Sequence, residues 1–204
     1  MAEPPPIEQQ ATPSDAYPAL GEPVAIELAN TLFTDGGRPL DALTSPAALS
    51  RWLKTNAERI ASPPPRRLST GELERARELR ATIRTLLAKA LAGDPPPAAA
   101  IRHLNQLAAL APITPRLDWR TGEPPTARLS VSATGRFDAV LTLLAQSAID
   151  VLAGSGAGRL RRCEAPGCIC YYLKDHPRRA WCSPKCGNRV RVARHYQRRH
   201  RTRT

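Results

Sequence analysis

Acidic residues are nearly absent from the last 46 residues of this 204-residue chain, where only Glu164 and Asp175 occur. The same stretch contains 14 of the 30 lysine and arginine residues and therefore carries the entire net charge of +12. Residues 1–158 hold 16 basic and 16 acidic side chains, so the body of the chain is neutral. This segregation excludes a uniformly basic protein. It indicates a polyanionic partner at the C-terminal end, most simply nucleic acid, with acidic lipid as a weaker alternative.

Long hydrophobic runs are also missing. The most apolar helical stretch, residues 137–154, is interrupted by Asp138, Gln146 and Asp150 and falls short of a membrane span. The N-terminus lacks the basic start and the apolar run of a secretion signal. We therefore expect a cytoplasmic protein that does not contact a membrane.

Cysteine is absent from the first 162 residues, and all five cysteines then fall within 24 residues. In a reducing compartment, clustered cysteines are more often metal ligands or redox thiols than structural disulfides. Two short knuckles, Cys163-x4-Cys168 and Cys182-x3-Cys186, can each present two thiolates to one tetrahedral ion, as structural zinc sites do. The spacing predicts one Zn²⁺ ion per chain. Such an ion would supply the folding free energy that this short segment cannot obtain from hydrophobic burial.

The fifth cysteine leaves a choice of ligand open in the first knuckle. A Pro-Gly turn directly precedes Cys168 and favours that thiol, which leaves Cys170 packed or spare. Binding of the ion by Cys170 in place of Cys168 remains an alternative. His176 or His195 could also take the place of a ligand, although a surface or phosphate-contacting histidine is the more common case.

An arginine-rich helix is predicted after the second knuckle, with Ser183 and Pro184 as its N-cap and first residue. Its spacing gives a cationic stripe suited to DNA phosphates, and one or two arginines could read guanine in a major groove. A solvated cationic tail without a specific partner is the less favoured alternative. The predicted nucleic-acid contacts are Arg189, Arg191, Arg194, His195, Arg198 and Arg199.

The rest of the chain is predicted to be mainly α-helical with one small β-hairpin. A disordered Pro-rich tail (1–22) precedes a helical domain (23–153), a Gly/Ser linker (154–158) and the cysteine-rich module with its basic helix (159–204). We expect no enzyme, because no constellation typical of a hydrolase or transferase stands out and the acidic residues alternate with arginines as on solvated faces.

Local signals give the element boundaries. A first short element from Ile26 to Phe33 ends at the Asp-Gly-Gly turn at 35–37. A capping box at Ser69 opens the longest helix, which Gly93 stops. Another helix is predicted to begin at Asp94, and a hairpin to span 116–132.

Two stretches of the chain resemble known families. The C-terminal module resembles the CGNR zinc finger, through the tetrapeptide CGNR at 186–189 and the preceding WCS at 181–183. In the body, three stretches carry a second likeness: PVAIELANTL at 23–32, DALTSPAALSRWL at 41–53 and HLNQLA at 103–108. Through them the body resembles the ABATE domain that precedes this finger in bacterial stress-induced transcription regulators.

The resemblance implies a zinc-containing, DNA-binding transcription regulator. The positions that match the family's metal ligands are Cys163, Cys168, Cys182 and Cys186. The second knuckle is one residue shorter than in many members, and Cys170 stands where a non-cysteine is expected. A homodimer and a small-molecule effector of the N-terminal domain are further expectations; Asn30, Thr31 and Asp41 could line an effector pocket, although caps and turns are their more common role.

Two other functions compete with duplex DNA binding. In an RNA-binding protein, Tyr171, Tyr172 and Tyr196 could stack on bases beside the arginines. In a redox sensor, the pair Cys168 and Cys170 would carry the reactive thiols.

Overall fold

Helices dominate the computed structural model, which describes residues 19–201 apart from Gly36, 61–64, 66 and 132–135. The predicted tail, residues 1–22, lies largely outside the described residues. The helices are α1 (Val24–Ala29), α2 (Pro46–Thr55), α3 (Ala57–Ile60), α4 (Thr70–Ala92), α5 (Ala98–Ala108), α6 (Arg136–Ala153) and α7 (Pro184–Arg201). The strands are β1 (Leu32–Asp35), β2 (Arg38–Asp41), β3 (Ile113–Asp118), β4 (Thr126–Val131), β5 (Leu160–Arg162) and β6 (Tyr171–Leu173). The predicted fold class, a helical domain followed by a small module that ends in a basic helix, is confirmed.

The longest helix, α4, forms the centre of the core. The predicted capping box is present: the Glu72 N–H donates to Ser69 Oγ, and the Ser69 N–H donates to the Glu72 carboxylate at 2.7 Å. Gly93 ends the helix with a left-handed φ of 70°, a conformation that favours glycine. The apolar face of α4 packs against α1, α5 and α6, so that Leu79 and Ile83 are completely buried.

The sequence analysis anticipated one hairpin, whereas the described residues form three two-stranded antiparallel sheets, β1–β2, β3–β4 and β5–β6. The predicted hairpin is β3–β4. The predicted first element is wrong in extent, because α1 ends at Ala29 and Phe33 lies in β1 opposite Leu40. Phe33 packs on the cysteine-rich module, so its strand depends on a contact that local sequence does not encode.

The start of α5 also differs from the prediction. The helix begins at Ala98, after three consecutive prolines, and Asp94 instead pairs with Lys89 at the end of α4. A proline disfavours helical dihedrals in the residue before it, so the three consecutive prolines disfavour helix at Asp94 and at the two residues that follow it.

The predicted linker at 154–158 is a compact turn. The Gly154 N–H donates to the Asp150 carbonyl at 2.9 Å, and a 3₁₀ turn at Ala157–Arg159 leads directly into β5. Gly156 is buried beside the side chain of Leu173, so the cysteine-rich module packs against the helical body. In the described part of the chain, no helix has both the length and the apolarity needed to cross a membrane.

Replacement of Leu79 by alanine tests the central position of α4. The side chain is fully buried, and its truncation leaves a cavity that is expected to lower the free energy of unfolding by about 2–5 kcal/mol. Urea unfolding of the zinc-loaded protein measures the loss. Leu91→Ala, at a 37% exposed position of the same helix, is the matched control, and equal losses for both variants would contradict the arrangement.

Candidate metal centre and its docking surface

Four buried thiols converge in the C-terminal module. The sulfur atoms of Cys163, Cys168, Cys182 and Cys186 all lie within 4.8 Å of one another. The pairs Cys168–Cys182 and Cys168–Cys186 are 3.8 Å apart, and Cys182–Cys186 are 3.6 Å apart. With Zn–S bonds of about 2.3 Å, a tetrahedral ion separates its sulfur ligands by about 3.8 Å. The four sulfurs therefore fit one Zn²⁺ ion, in agreement with the predicted cofactor.

The first knuckle is built on β5 and β6. The Cys163 N–H donates to the Cys170 carbonyl, which extends the sheet up to the first thiol. Gly167 adopts a φ of 72°, and the Cys168 N–H closes the turn on the Ala165 carbonyl at 2.8 Å. The turn at Gly167 thus brings Cys168 back toward Cys163.

The second knuckle is the start of α7. Ser183 caps this helix by accepting the Cys186 N–H at 3.3 Å, so that Cys186 lies in the first turn and Cys182 directly before it. Gly187 leaves room for Trp181, because a Cβ at position 187 would lie 3.0 Å from the indole Cδ1, which is closer than an ordinary van der Waals contact. The tryptophan can therefore cover this side of the knuckle.

Hydrogen bonds among the thiols shift their pKa values in opposite directions. The Cys168 thiolate accepts hydrogen bonds from Cys163, Cys170 and Cys182, which lowers its pKa. Because Cys163 donates to Cys168, the pKa of Cys163 rises to about 11, and the hydrogen bonds that Cys182 donates to Cys163 and Cys168 raise the pKa of Cys182. Without a metal ion, one thiolate suppresses the ionisation of its neighbours. A bound dication reverses this effect, since metal-bound thiols are deprotonated.

The fifth thiol lies beside the four-sulfur cluster but is not one of its members. Cys170 is 3% exposed, and its hydrogen bond to Cys168 together with burial raises its pKa to about 12. The geometry thus assembles Cys168 with the other three thiols and leaves Cys170 packed. His176 accepts the Arg178 N–H in an exposed turn, and His195 is exposed on α7, so neither histidine joins the cluster.

Family comparisons agree with this geometry. Residues 22–155 match ABATE, described as "Putative stress-induced transcription regulator", and residues 159–199 match the CGNR zinc finger. The chain belongs to the ABATE family. A comparison with curated protein sequences finds no significant match. The zinc site lies entirely within the CGNR finger.

The ABATE domain completes the open edge of the finger's sheet. Antiparallel pairing with β5 leaves the backbone groups of Tyr171 and Leu173 facing away from β5. The fully buried Asn30 side chain accepts the Tyr171 N–H and donates to the Tyr171 carbonyl, both at 2.8 Å. Glu22 accepts the Leu173 N–H at 2.9 Å. Side chains of the helical body thus substitute for a third strand.

Arginines reinforce this junction. Arg179 donates to Glu22 at 2.6 Å and to the carbonyls of Leu173 and Cys182, and its guanidinium stacks on the Tyr172 ring at 4.9 Å. Burial raises the pKa of Glu22, although the Leu173 N–H and Arg179 stabilise its ionised form.

From the other side, Arg84 of α4 bridges the ABATE domain and the first knuckle. It donates to the carbonyls of Ala29 and Ile169 and lies over the Tyr171 ring at 5.2 Å.

The adjacent tyrosines of β6 anchor two different cores. Tyr171 is 4% exposed and packs with the helical core, whereas Tyr172 is 3% exposed and packs with the cysteines and Phe33. The residues noted as possible pocket lining have other roles, since Asn30 binds β6 and Arg80 joins Thr31 to Asp41. The docking role of Asn30 has no local sequence signal.

The residues predicted to contact nucleic acid lie on α7 in different settings. Exposed side chains are Arg191, Arg194, His195 and Arg198. Arg189 is half-buried and turns toward the metal centre, with Nη2 at 3.7 Å from Cys186 Sγ. Arg199 lies within α7, and its side chain is outside the described part of the chain.

Zinc uptake at pH 7 is expected to release at least two protons. Cys163 and Cys182, whose pKa values are raised, are protonated in the metal-free protein and must ionise to bind the ion. Zinc affinity should consequently rise with pH. Calorimetry in two buffers of different ionisation enthalpy counts the protons, and release of one or none would contradict the assigned protonation.

Asn30→Ala is expected to loosen the finger from the ABATE domain. The substitution leaves two buried backbone groups of Tyr171 without partners, each costing about 1–3 kcal/mol. Thermal unfolding of the zinc-loaded protein and the rate of zinc loss to a chelator should both reveal the change. Asn105→Ala, at an exposed position of α5, is the control, and identical behaviour of the two variants would refute the docking role.

Proposed function

We propose that this ABATE-family protein is a zinc-dependent regulator whose helix α7 binds double-stranded DNA. The observation that carries the proposal is that the positively charged segment starts at the metal site. The whole net charge lies after residue 158, and the first turn of α7 contributes a zinc ligand, Cys186. Cys186 in its first turn and the buried Val190 fix the direction of the helix. The ion therefore holds a cationic helix in place that would otherwise be a flexible tail.

The exposed face of α7 suits a phosphate backbone. Within the part of the chain that the structure describes, no carboxylate pairs with Arg191 or Arg194, so both guanidinium groups are available to an external anion. Their spacing of three residues places them on neighbouring turns of one face, with His195 beside them. Lysine and arginine that neutralise phosphates release counterions, which makes binding strong and salt-dependent.

We propose a structural role for the metal, with no catalytic activity. Four thiolate ligands fill the tetrahedral coordination of zinc, so no position is left for a substrate or an activated water. The redox alternative is weakened because four of its five thiols form one closed metal site and the fifth is buried. The homodimer and the effector ligand stay predictions.

Burial of two tyrosines disfavours the RNA alternative. Tyr171 and Tyr172 pack into the two cores and offer no face to an unstacked base. Tyr196 is 63% exposed on α7 and is the one of the three still open to such a contact.

Duplex binding should disappear when zinc is removed. Cys182→Ser deletes a ligand and is expected to abolish binding of a fluorescent duplex in an anisotropy titration, because the finger loses its core and α7 its anchor. The matched control is Cys170→Ser, which alters a buried cysteine outside the four-sulfur cluster and should retain both zinc and binding. Equal binding by the zinc-free Cys182→Ser protein would refute the proposal. Tighter binding of single-stranded RNA than of duplex DNA would favour the alternative.

A further inference from the structure

The guanidinium of Arg189 faces the zinc ligands. Its Nη2 lies 3.7 Å from Cys186 Sγ, within hydrogen-bonding reach of sulfur, and the side chain is half-buried. Its Nε is fully buried and, among the described residues, has no hydrogen-bond partner. An arginine that held a phosphate would instead extend into solvent, as Arg191 and Arg194 do.

Helix geometry explains this orientation. Arg189 follows Cys186 by three residues, so the two side chains are neighbours on one face of α7. The next residue, Val190, is 6% exposed and also packs on the metal centre. The phosphate-facing stripe begins only at Arg191, which is exposed. Arg189 thus lies on the opposite side of the helix from Arg191 and Arg194.

Electrostatics supply the reason for a cation at this place. One Zn²⁺ ion with four thiolates carries a net charge of −2, and all four sulfurs here are buried. Hydrogen bonds to ligand atoms orient them and tune the metal, and loss of such a partner typically costs about 10–100-fold in metal affinity. A guanidinium beside one thiolate both donates a hydrogen bond and offsets part of the charge.

We propose that Arg189 is a positioning residue of the zinc site and not a DNA contact. Its guanidinium holds the Cys186 thiolate and lowers that sulfur's reactivity toward electrophiles, so that the ion remains bound. The inference uses the zinc site alone and holds whether or not α7 binds DNA.

The test compares Arg189→Gln with Arg194→Gln, which removes the same charge from an exposed position of the same helix. Arg189→Gln should bind zinc at least about tenfold more weakly than the unchanged protein and transfer it faster to a competing chelator. It should also move the thiolate-to-metal charge-transfer band of the Co²⁺-substituted protein to lower energy, because the sulfur loses a hydrogen bond. Arg189→Lys, which keeps the charge, should restore part of both properties. Arg194→Gln should match the unchanged protein in both.

A duplex titration at several salt concentrations separates this inference from the proposed function. If α7 binds DNA, Arg194→Gln lowers the slope of log K against log salt by about one, whereas zinc-saturated Arg189→Gln leaves that slope unchanged. The inference would be overturned if Arg189→Gln transferred zinc at the rate of the unchanged protein and left the Co²⁺ charge-transfer band unshifted, whatever the salt dependence of duplex binding. Absence of duplex binding by the unchanged protein would overturn the proposed function and leave the zinc assignment standing.

Discussion

Four thiols whose sulfur atoms lie within 4.8 Å of one another repel as thiolates unless a cation lies between them, and the arrangement of the C-terminal module follows from that constraint. The four thiols join the short β5–β6 sheet, the turn at Gly167 and the start of helix α7. A zinc ion converts their mutual repulsion into attraction and gives the finger a core that its few apolar side chains could not form. The ion also fixes the position of helix α7, because Cys186 in the first turn of that helix is one of its ligands.

The helical domain also stabilises the finger, through contacts with the outer edge of β6. Asn30 and Glu22 satisfy the outer edge of β6, and Arg84 and Arg179 clamp the junction from both sides. An open strand edge with unpaired backbone groups costs free energy when it is buried, so these polar contacts are needed once the two parts pack. The ABATE domain and the CGNR finger therefore share one polar and aromatic interface. Tyr171 packs into the core of the helical domain, and Tyr172 packs into the core of the finger.

The basic residues of the finger divide by their position on this framework. Arg179 holds the interface, Arg189 faces the sulfur cluster, and Arg191 and Arg194 face solvent. Net charge alone would assign all finger arginines to a nucleic acid. Helix phase and burial leave only the outer ones available for that role, because a guanidinium that is engaged by carbonyls or thiolates is not free to meet a phosphate.

Local patterns were sufficient to predict the zinc ion, the thiol knuckles, the capped helix α4, the cationic helix α7 and the mainly helical fold, because each depends on spacing or on residues a few positions apart. Tertiary structure decided the rest: it paired Phe33 into a strand, turned the expected linker into a packed corner, and directed Asn30 and Arg189 to partners that the predictions had not given them. Asn30 lies 141 residues from Tyr171. Contacts over such distances depend on how whole elements pack, which no local periodicity or motif encodes.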